Sequence, residues 1–314
     1  MNIITTTTGL KPDHCKVCLA IGFFDGVHLG HQHIVRQTIA DARKHDGLAV
    51  VLTFDRHPST IVAPDRVPPL IYSLPQKVRT IEALGADSLL LLRFDPAFSQ
   101  QTGEAFIRQL TRNLGPIHSI CVGADFVFGH QRSGDVALLQ KLGAELNFTV
   151  HGIAAVALDG QIVSSTRIRE AIRTGDLDAA GQMLGRPYSL TAKIVTGDRL
   201  GNQLGFPTAN LEMAGFILPP NGVYAAHATV RGQTRSAVVN LGFRPTLQQP
   251  NPQLRVEVHL LDFSGQIYGE EMMVTFAARL RTEMKFASIA DLRKQISRDV
   301  TTARKLMGPS PRAV

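Results

Sequence analysis

The feature that most constrains this chain is a change of hydrophobic rhythm part-way along it. From Val17 to about Ile172, short apolar runs without alternation (residues 17–21, 49–54, 88–92, 117–122 and 149–153) are separated by helix-length stretches (30–44, 75–84, 103–113, 135–142 and 165–173). A strand that is apolar on both faces must be covered on both, so this order predicts a parallel sheet between two layers of helices. After a short helical connector at 176–185 the runs become β-branched and alternating: 189–195, 222–230, 235–241, 255–263 and 271–278, broken by Gly, Pro and Asn turns. That is the pattern of a small antiparallel β-barrel. A stripe of Ile289, Leu292, Ile296, Val300 and Ala303 then marks one amphipathic helix over 289–306. The expected organisation is a Rossmann-like α/β module over residues 1–184, a β-barrel module with a terminal helix over 185–306, and a disordered tail over 307–314.

At 314 residues and 44% apolar content, two modules of ordinary size can each bury a core. The formal charge of +7 favours phosphate-bearing partners. Lys and Arg form no run of five or more, so no nucleic-acid arm is expected. No apolar run reaches the roughly 18 residues a membrane span needs. Three Cys and an N-terminus without the order of a signal peptide point to the cytoplasm. Cys15 and Cys18 have CxxC spacing, but no second pair stands nearby. At the start of a strand, positions i and i+3 face opposite ways, which favours core packing over redox or zinc chemistry. The sequence sets no oligomeric state.

The first apolar run leads into Gly22-Phe23-Phe24-Asp25-Gly26-Val27-His28-Leu29-Gly30-His31. Glycines bracket a tight turn, and a helix starts near Gly30 with its amides and dipole facing the strand's carboxyl end. Such a helix start is an anion site. His28 and His31, three apart across it, can address one phosphate. At the other end of the module, Ser164-Ser165-Thr166-Arg167-Ile168-Arg169 sets hydroxyls and two Arg on a first helical turn. It reads as a second phosphate cradle, with Ser164, Ser165, Thr166 and Arg169 as its members, or as an N-cap with solvated charges.

In the second module, Gly197, Gly201 and Gly205 recur at intervals of four, making a loop whose amides can wrap phosphates. No Gly-Lys-Ser/Thr follows. Thr208 and Asn210 are two apart and share a face of an extended segment, offering oxygens of the kind Mg²⁺ prefers. Glu257 projects from a strand among apolar neighbours, with His259 two along on the same face, open to an assisting or a structural role. Arg298, on the terminal helix, is open to a ligand or to a surface pair.

An early HxGH with a late Ser-Thr-x-x-Arg resembles the adenylyltransferase superfamily. The blocks Thr53-Phe54-Asp55-Arg56-His57-Pro58, Val122-Gly123-Ala124-Asp125-Phe126-Val127-Phe128-Gly129 and Arg132-Ser133-Gly134-Asp135 narrow the match. With the glycine loop, Pro219 to Tyr224, Asn240 to Thr246 and Val256 to Phe263, they resemble the prokaryotic bifunctional riboflavin kinase/FAD synthetase family over 17–304. The resemblance implies that the first module is a nucleotidyltransferase that adenylylates FMN, using His28, His31, Gly22, Asp25 and Gly30. It implies that the second phosphorylates riboflavin with ATP, with Glu257 as base and Thr208 and Asn210 on Mg²⁺. Phe54, His57, Asp125, Phe128 and Arg244 stand as flavin-side residues, although Phe54, Phe126 and Phe128 read equally well as core. The chain departs from the family at Phe23, where Asn is usual, and at Arg56, where Pro is frequent. A class I aminoacyl-tRNA synthetase also uses HxGH, but it would need a lysine-rich second signature and a tRNA-binding domain, and the sequence has neither. A flavin sensor would need neither Glu257 nor the Thr208/Asn210 pair.

Overall fold

The computed structural model describes residues 1–10, 15–197, 201, 204–243 and 254–308. The chain divides into two compact units: Met1–Leu70 with Leu74–Arg167, and Ile71–Ser73 with Ile168–Val314.

The first unit is built on six parallel strands: β1 (Asn2–Ile4), β2 (Val17–Ile21), β3 (Leu48–Phe54), β4 (Ser88–Leu92), β5 (Ile117–Gly123) and β6 (Thr149–Ile153). They lie in the order β1-β4-β3-β2-β5-β6. Between them run α1 (Leu29–Lys44), α2 (Ser59–Val62), α3 (Leu74–Ala83), α4 (Pro96–Ser99), α5 (Gly103–Leu114) and α6 (Val136–Leu146). The unalternating runs are apolar because both faces are covered. Val17, Leu19, Ile21, Val50 and Leu52 pack with Phe106, Leu110 and Leu114 of α5 and Leu139 and Leu142 of α6. Ala20, Val51, Leu89 and Cys121 face Ile34 and Val35 of α1 and Ile81 of α3. Helix starts are set by side-chain caps, Thr102 for α5 and Asp135 for α6. Strand β1, paired with β4, lies where the sequence shows only a Thr-rich segment. A small hairpin, β7 (Ala157–Leu158) with β8 (Gln161–Ile162), precedes α7 (Ser165–Thr174), within which the second unit begins at Ile168; α8 (Leu177–Leu184) follows in that unit. Cys18 is buried in the core and Cys15 is exposed.

The second unit holds a closed antiparallel barrel of β9 (Ser189–Val195), β10 (Ala209–Leu211), β11 (Gly222–Val230), β12 (Gln233–Phe243), β13 (Leu254–Leu260) and β14 (Glu271–Arg281). The order around it is β10-β13-β12-β11-β14-β9. Closure pairs every edge, which is how six short strands avoid leaving a ladder open. Helix α9 (Ile289–Met307), capped by Ser288, packs Val300, Ala303 and Met307 against Val223, Ala225 and Val238. Its predicted stripe fails only at Ile289, in the first turn, which is 69% exposed. The expected tail begins within this helix at Met307, and residues 309–314 lie outside the described residues.

Candidate functional site

Each unit presents one constellation. In the first, β2 ends at Ile21 and the chain turns sharply before α1. Phe24 (φ 56°), Gly26 (φ 73°) and Val27 (φ 43°) all take left-handed backbone. A β-branched residue there is strained, and such strain persists only where the surroundings impose it. They do so here: Phe24 and Val27 are buried, and Gln32 Nε2 donates to the Val27 carbonyl at 3.0 Å. The turn delivers His28 as the N-cap of α1, where its Nδ1 accepts from the His31 amide at 3.4 Å. The two imidazoles stack, centroids 3.5 Å apart and 22° from parallel. His31 also meets the Phe24 ring edge-on at 5.2 Å, and its Nδ1 is buried with no hydrogen-bond partner. Burial, followed by the neighbouring His28 and Lys77, holds the His31 pKa well below the usual imidazole value. His31 is therefore a neutral ring at pH 7.

The two motifs of the first module come together. Ser165 Oγ donates to the carbonyl of Asp25 at 3.1 Å, joining the start of α7 to the turn. Gly22 and Gly30 flank that turn, Gly22 at the strand end and Gly30 in the first turn of α1. Ser164 caps α7 by accepting from the Arg167 amide at 3.2 Å, and Arg167 ties down the hairpin through the Leu158 and Gln161 carbonyls. Thr166 is exposed, and Arg169, one turn on, is buried.

Sequence reasoning missed Lys77, on α3. It is 4% exposed, and its ammonium donates to the carbonyls of Phe23 (3.1 Å) and Phe54 (3.1 Å) and to Thr53 Oγ1 (3.2 Å). It also sits 4.2 Å above the Phe23 ring. Thr53 Oγ1 donates in turn to the Phe23 carbonyl. One buried cation thus laces the ends of β2 and β3 together beneath the turn. Burial pushes its pKa down to about 8, against the pull of Asp25 and Asp55.

Of the flavin-side candidates, Phe54 packs against Phe94 and Phe98, and Phe128 stacks on Phe126 at 5.2 Å. Both lean on the core and remain half-buried. His57 meets Phe23 edge-on at 4.7 Å and accepts from the Ser59 amide. Asp125 is exposed, and Arg244 lies outside the described residues.

In the barrel, one cavity of about 380 Å³ is lined by Gly201, Thr208, Asn210, Asn240, Glu257 and His259, with Leu292, Ile296 and Asp299 from α9. That volume is within the roughly 300–1,000 Å³ of small-molecule pockets. The sheet explains the grouping. Asn210 pairs with Glu257, and Glu257 pairs with Asn240, so three polar side chains form one rung across β10, β13 and β12. Asn240 was within reach of the sequence: it is the one polar residue in the run Val238-Val239-Asn240-Leu241. The glycine loop must stay side-chain-free here. A Cβ on Gly197 would overlap the Asn210 amide, and one on Gly201 would press on the Phe206 carbonyl and lie 3.2 Å from Thr208 Oγ1. Gly205 completes the loop at φ 86°. His259 Nδ1 lies 2.8 Å from the Pro207 carbonyl, which fixes the approach to Thr208. Arg298 is exposed. A hydroxyl, an amide oxygen and a carboxylate in one cavity form an all-oxygen set that suits Mg²⁺.

A parallel α/β unit with a histidine turn at a helix start, joined to a barrel with a carboxylate rung in its cavity, defines a two-module transferase acting on phosphate-bearing substrates. Comparison with known proteins narrows this. Residues 10–167 match the family model described as FAD synthetase, and residues 184–307 match the one described as riboflavin kinase. A bifunctional riboflavin kinase/FMN adenylyltransferase of Haemophilus influenzae is 37% identical over 91% of this chain and 92% of its own. One of Escherichia coli is 37% identical over 92% of both chains. A solved Streptococcus pneumoniae structure, described as a macrolide-efflux protein, superposes with a TM-score of 0.81 at 29% identity, over 96% of this chain and 98% of that one. No helix among the described residues is long and apolar enough to cross a membrane. The chain belongs to the bifunctional riboflavin kinase/FMN adenylyltransferase family.

Proposed function

We propose that the two steps of FAD synthesis are divided between the modules, with adenylyl transfer in residues 1–184 and the kinase step in residues 185–306. Riboflavin and ATP enter the barrel and leave as FMN and ADP. FMN and a second ATP then give FAD and pyrophosphate at the histidine turn. The observation that carries the reading is the Asn210–Glu257–Asn240 rung lining one cavity with Thr208. Glu257 accepts the proton of the ribityl hydroxyl as that oxygen attacks the γ-phosphate. Thr208 and Asn210 would hold Mg²⁺, which neutralises phosphate charge when bound. The loop of Gly197, Gly201 and Gly205 cradles the phosphates through its amides.

In the other module the FMN phosphate is itself the nucleophile, so the protein's task is positioning and charge stabilisation. His28 and the amides of α1 face the transferred phosphate. His31 enters uncharged and contributes a hydrogen bond. Ser165, Thr166 and Arg169 take the β- and γ-phosphates, and Ser164 sets their helix. Phe54, His57, Asp125, Phe128 and Arg244 stand on the flavin side. The enzyme works in the cytoplasm on small molecules alone, with no nucleic-acid or membrane partner.

The test is a timed incubation with riboflavin, ATP and Mg²⁺, with the flavins separated by chromatography. FMN appears first and FAD follows. Glu257→Ala cuts FMN formation by about 100-fold or more yet still converts supplied FMN to FAD, and His28→Ala does the reverse. A folded variant of either kind that loses both activities overturns the division.

A further inference from the structure

Strand β5 carries an irregularity a helix length from the histidine turn. It pairs with β2 as Val17↔Ile117 and then as Cys18↔Ser119, so His118 is the extra residue of a β-bulge. The cores record the consequence. Ile117 and Ile120, three apart, share one face of the sheet with Val17 and Leu19. Ser119 faces the other way, where its hydroxyl donates to Asp41 Oδ2 on α1. The bulge turns His118 to the same side, and its ring comes to 3.9 Å from that of His45.

What it meets there is a donor set. Asp41 and His45 are four apart at the end of α1, one turn above each other, and His45 Nε2 lies 3.6 Å from Asp41 Oδ1. The ligand atoms of Asp41, His45 and His118 all fall within 4.8 Å of one another. The carboxylate is already oriented: Ser119 Oγ, Cys18 Sγ (3.7 Å) and His151 Nε2 (3.6 Å) gather on Oδ2 and leave Oδ1 to the imidazoles. Outer partners of this kind orient metal-binding carboxylates and histidines. Lys16 acts on His118 too, and with His45 and His151 it opposes a positive charge there, which Asp41 favours. Bulges re-aim side chains at functional positions, and nothing in the flavin chemistry uses this one.

We propose that Asp41, His45 and His118 bind a late first-row divalent metal ion of the Zn²⁺ class. Two imidazoles and a carboxylate favour Zn²⁺, Co²⁺, Ni²⁺ or Cu²⁺ over Mg²⁺, which prefers oxygen alone. The donors need to close by about 1 Å to reach the ~2.0–2.1 Å metal–nitrogen distances of zinc sites. The site is a helix length from the histidine turn, about 20 Å at ~1.5 Å of rise per residue, so its metal takes no part in adenylyl transfer. It instead pins the end of α1 to β5.

The experiment strips the full-length protein of metal and titrates it with Zn²⁺ against a chromophoric chelator, then records the Co²⁺ absorption spectrum. One Zn²⁺ per chain is expected. His118→Ala and His45→Gln, the latter at a ring 29% exposed and safe for folding, each weaken binding at least tenfold and abolish the Co²⁺ bands. His31→Ala leaves both unchanged, and His45→Gln keeps FMN and FAD formation with Mg²⁺. No stoichiometric Zn²⁺, binding that survives His118→Ala and His45→Gln, or binding lost in His31→Ala would each overturn the proposal.

Discussion

A lysine ammonium is costly to dehydrate, and Lys77 keeps its charge at 4% exposure by giving donors to three oxygens. The pKa of about 8 measures the imbalance that remains. Because the folded state binds this proton less tightly than the unfolded chain does, the destabilisation is full below about pH 8 and is relieved as pH rises towards 10.5. Lys77→Met has no such titration. Urea unfolding at pH 7.5 and 9.5 should therefore show wild type gaining about 2 kcal/mol on Lys77→Met between the two. A constant gap would mean that Lys77 stays protonated in the folded chain throughout this range, with no lowered pKa. Sequence alone hides Lys77, which sits in an amphipathic helix like any solvated lysine. Its role exists only where the ends of two strands converge. His28 and His31 were legible for the opposite reason: spacing of three across a helix start fixes their juxtaposition locally. The left-handed Val27 beside them was not legible, since nothing in its type announces that conformation.

At the scale of elements, legibility followed length. Runs of five or more apolar residues and every helix longer than two turns were readable from period alone. The three-residue strand β1 was not, and β10 was readable only as an extended segment through Thr208 and Asn210, because three residues carry no period. β10 is nonetheless the strand that brings Asn210 to Glu257. The bulge at His118 was equally hidden, being a property of pairing and not of either strand. Helix α9 shows how an amphipathic stripe is held in register by polar contacts. Arg281 of β14 pairs with Asp299 at 2.9 Å, and Gln295 donates to the same carboxylate at 2.9 Å. Asp299 is 5% exposed and lines the barrel cavity with Leu292 and Ile296. Asp299→Ala leaves Arg281 without its counter-ion in a largely buried place, which costs about 3 kcal/mol. The expected result is a lowered urea midpoint together with a raised KM for riboflavin, since α9 supplies one wall of the cavity. An unchanged midpoint would show that the helix docks through Val300 and Ala303 alone.

At the scale of the molecule, each unit closes its own core. Leu110 is fully buried among Leu114, Phe106, Leu139 and Leu19, all residues of the first unit. The barrel interior is lined by Tyr188, Tyr224 and Phe276, whose rings pack within 5.4–5.9 Å in the second unit. Truncating a fully buried Leu to Ala costs about 3–5 kcal/mol, and the loss falls on the unit whose packing it opens. A chain whose two activities rest on two cores should fail in two stages. Leu110→Ala, heated in steps and assayed after each, should lose FAD formation from supplied FMN several degrees before it loses FMN formation from riboflavin. In Phe276→Ala the order should reverse, because that ring belongs to the barrel. Simultaneous loss in both variants would show that the units unfold as one cooperative block, and the separate cores would then be a matter of geometry without thermodynamic independence.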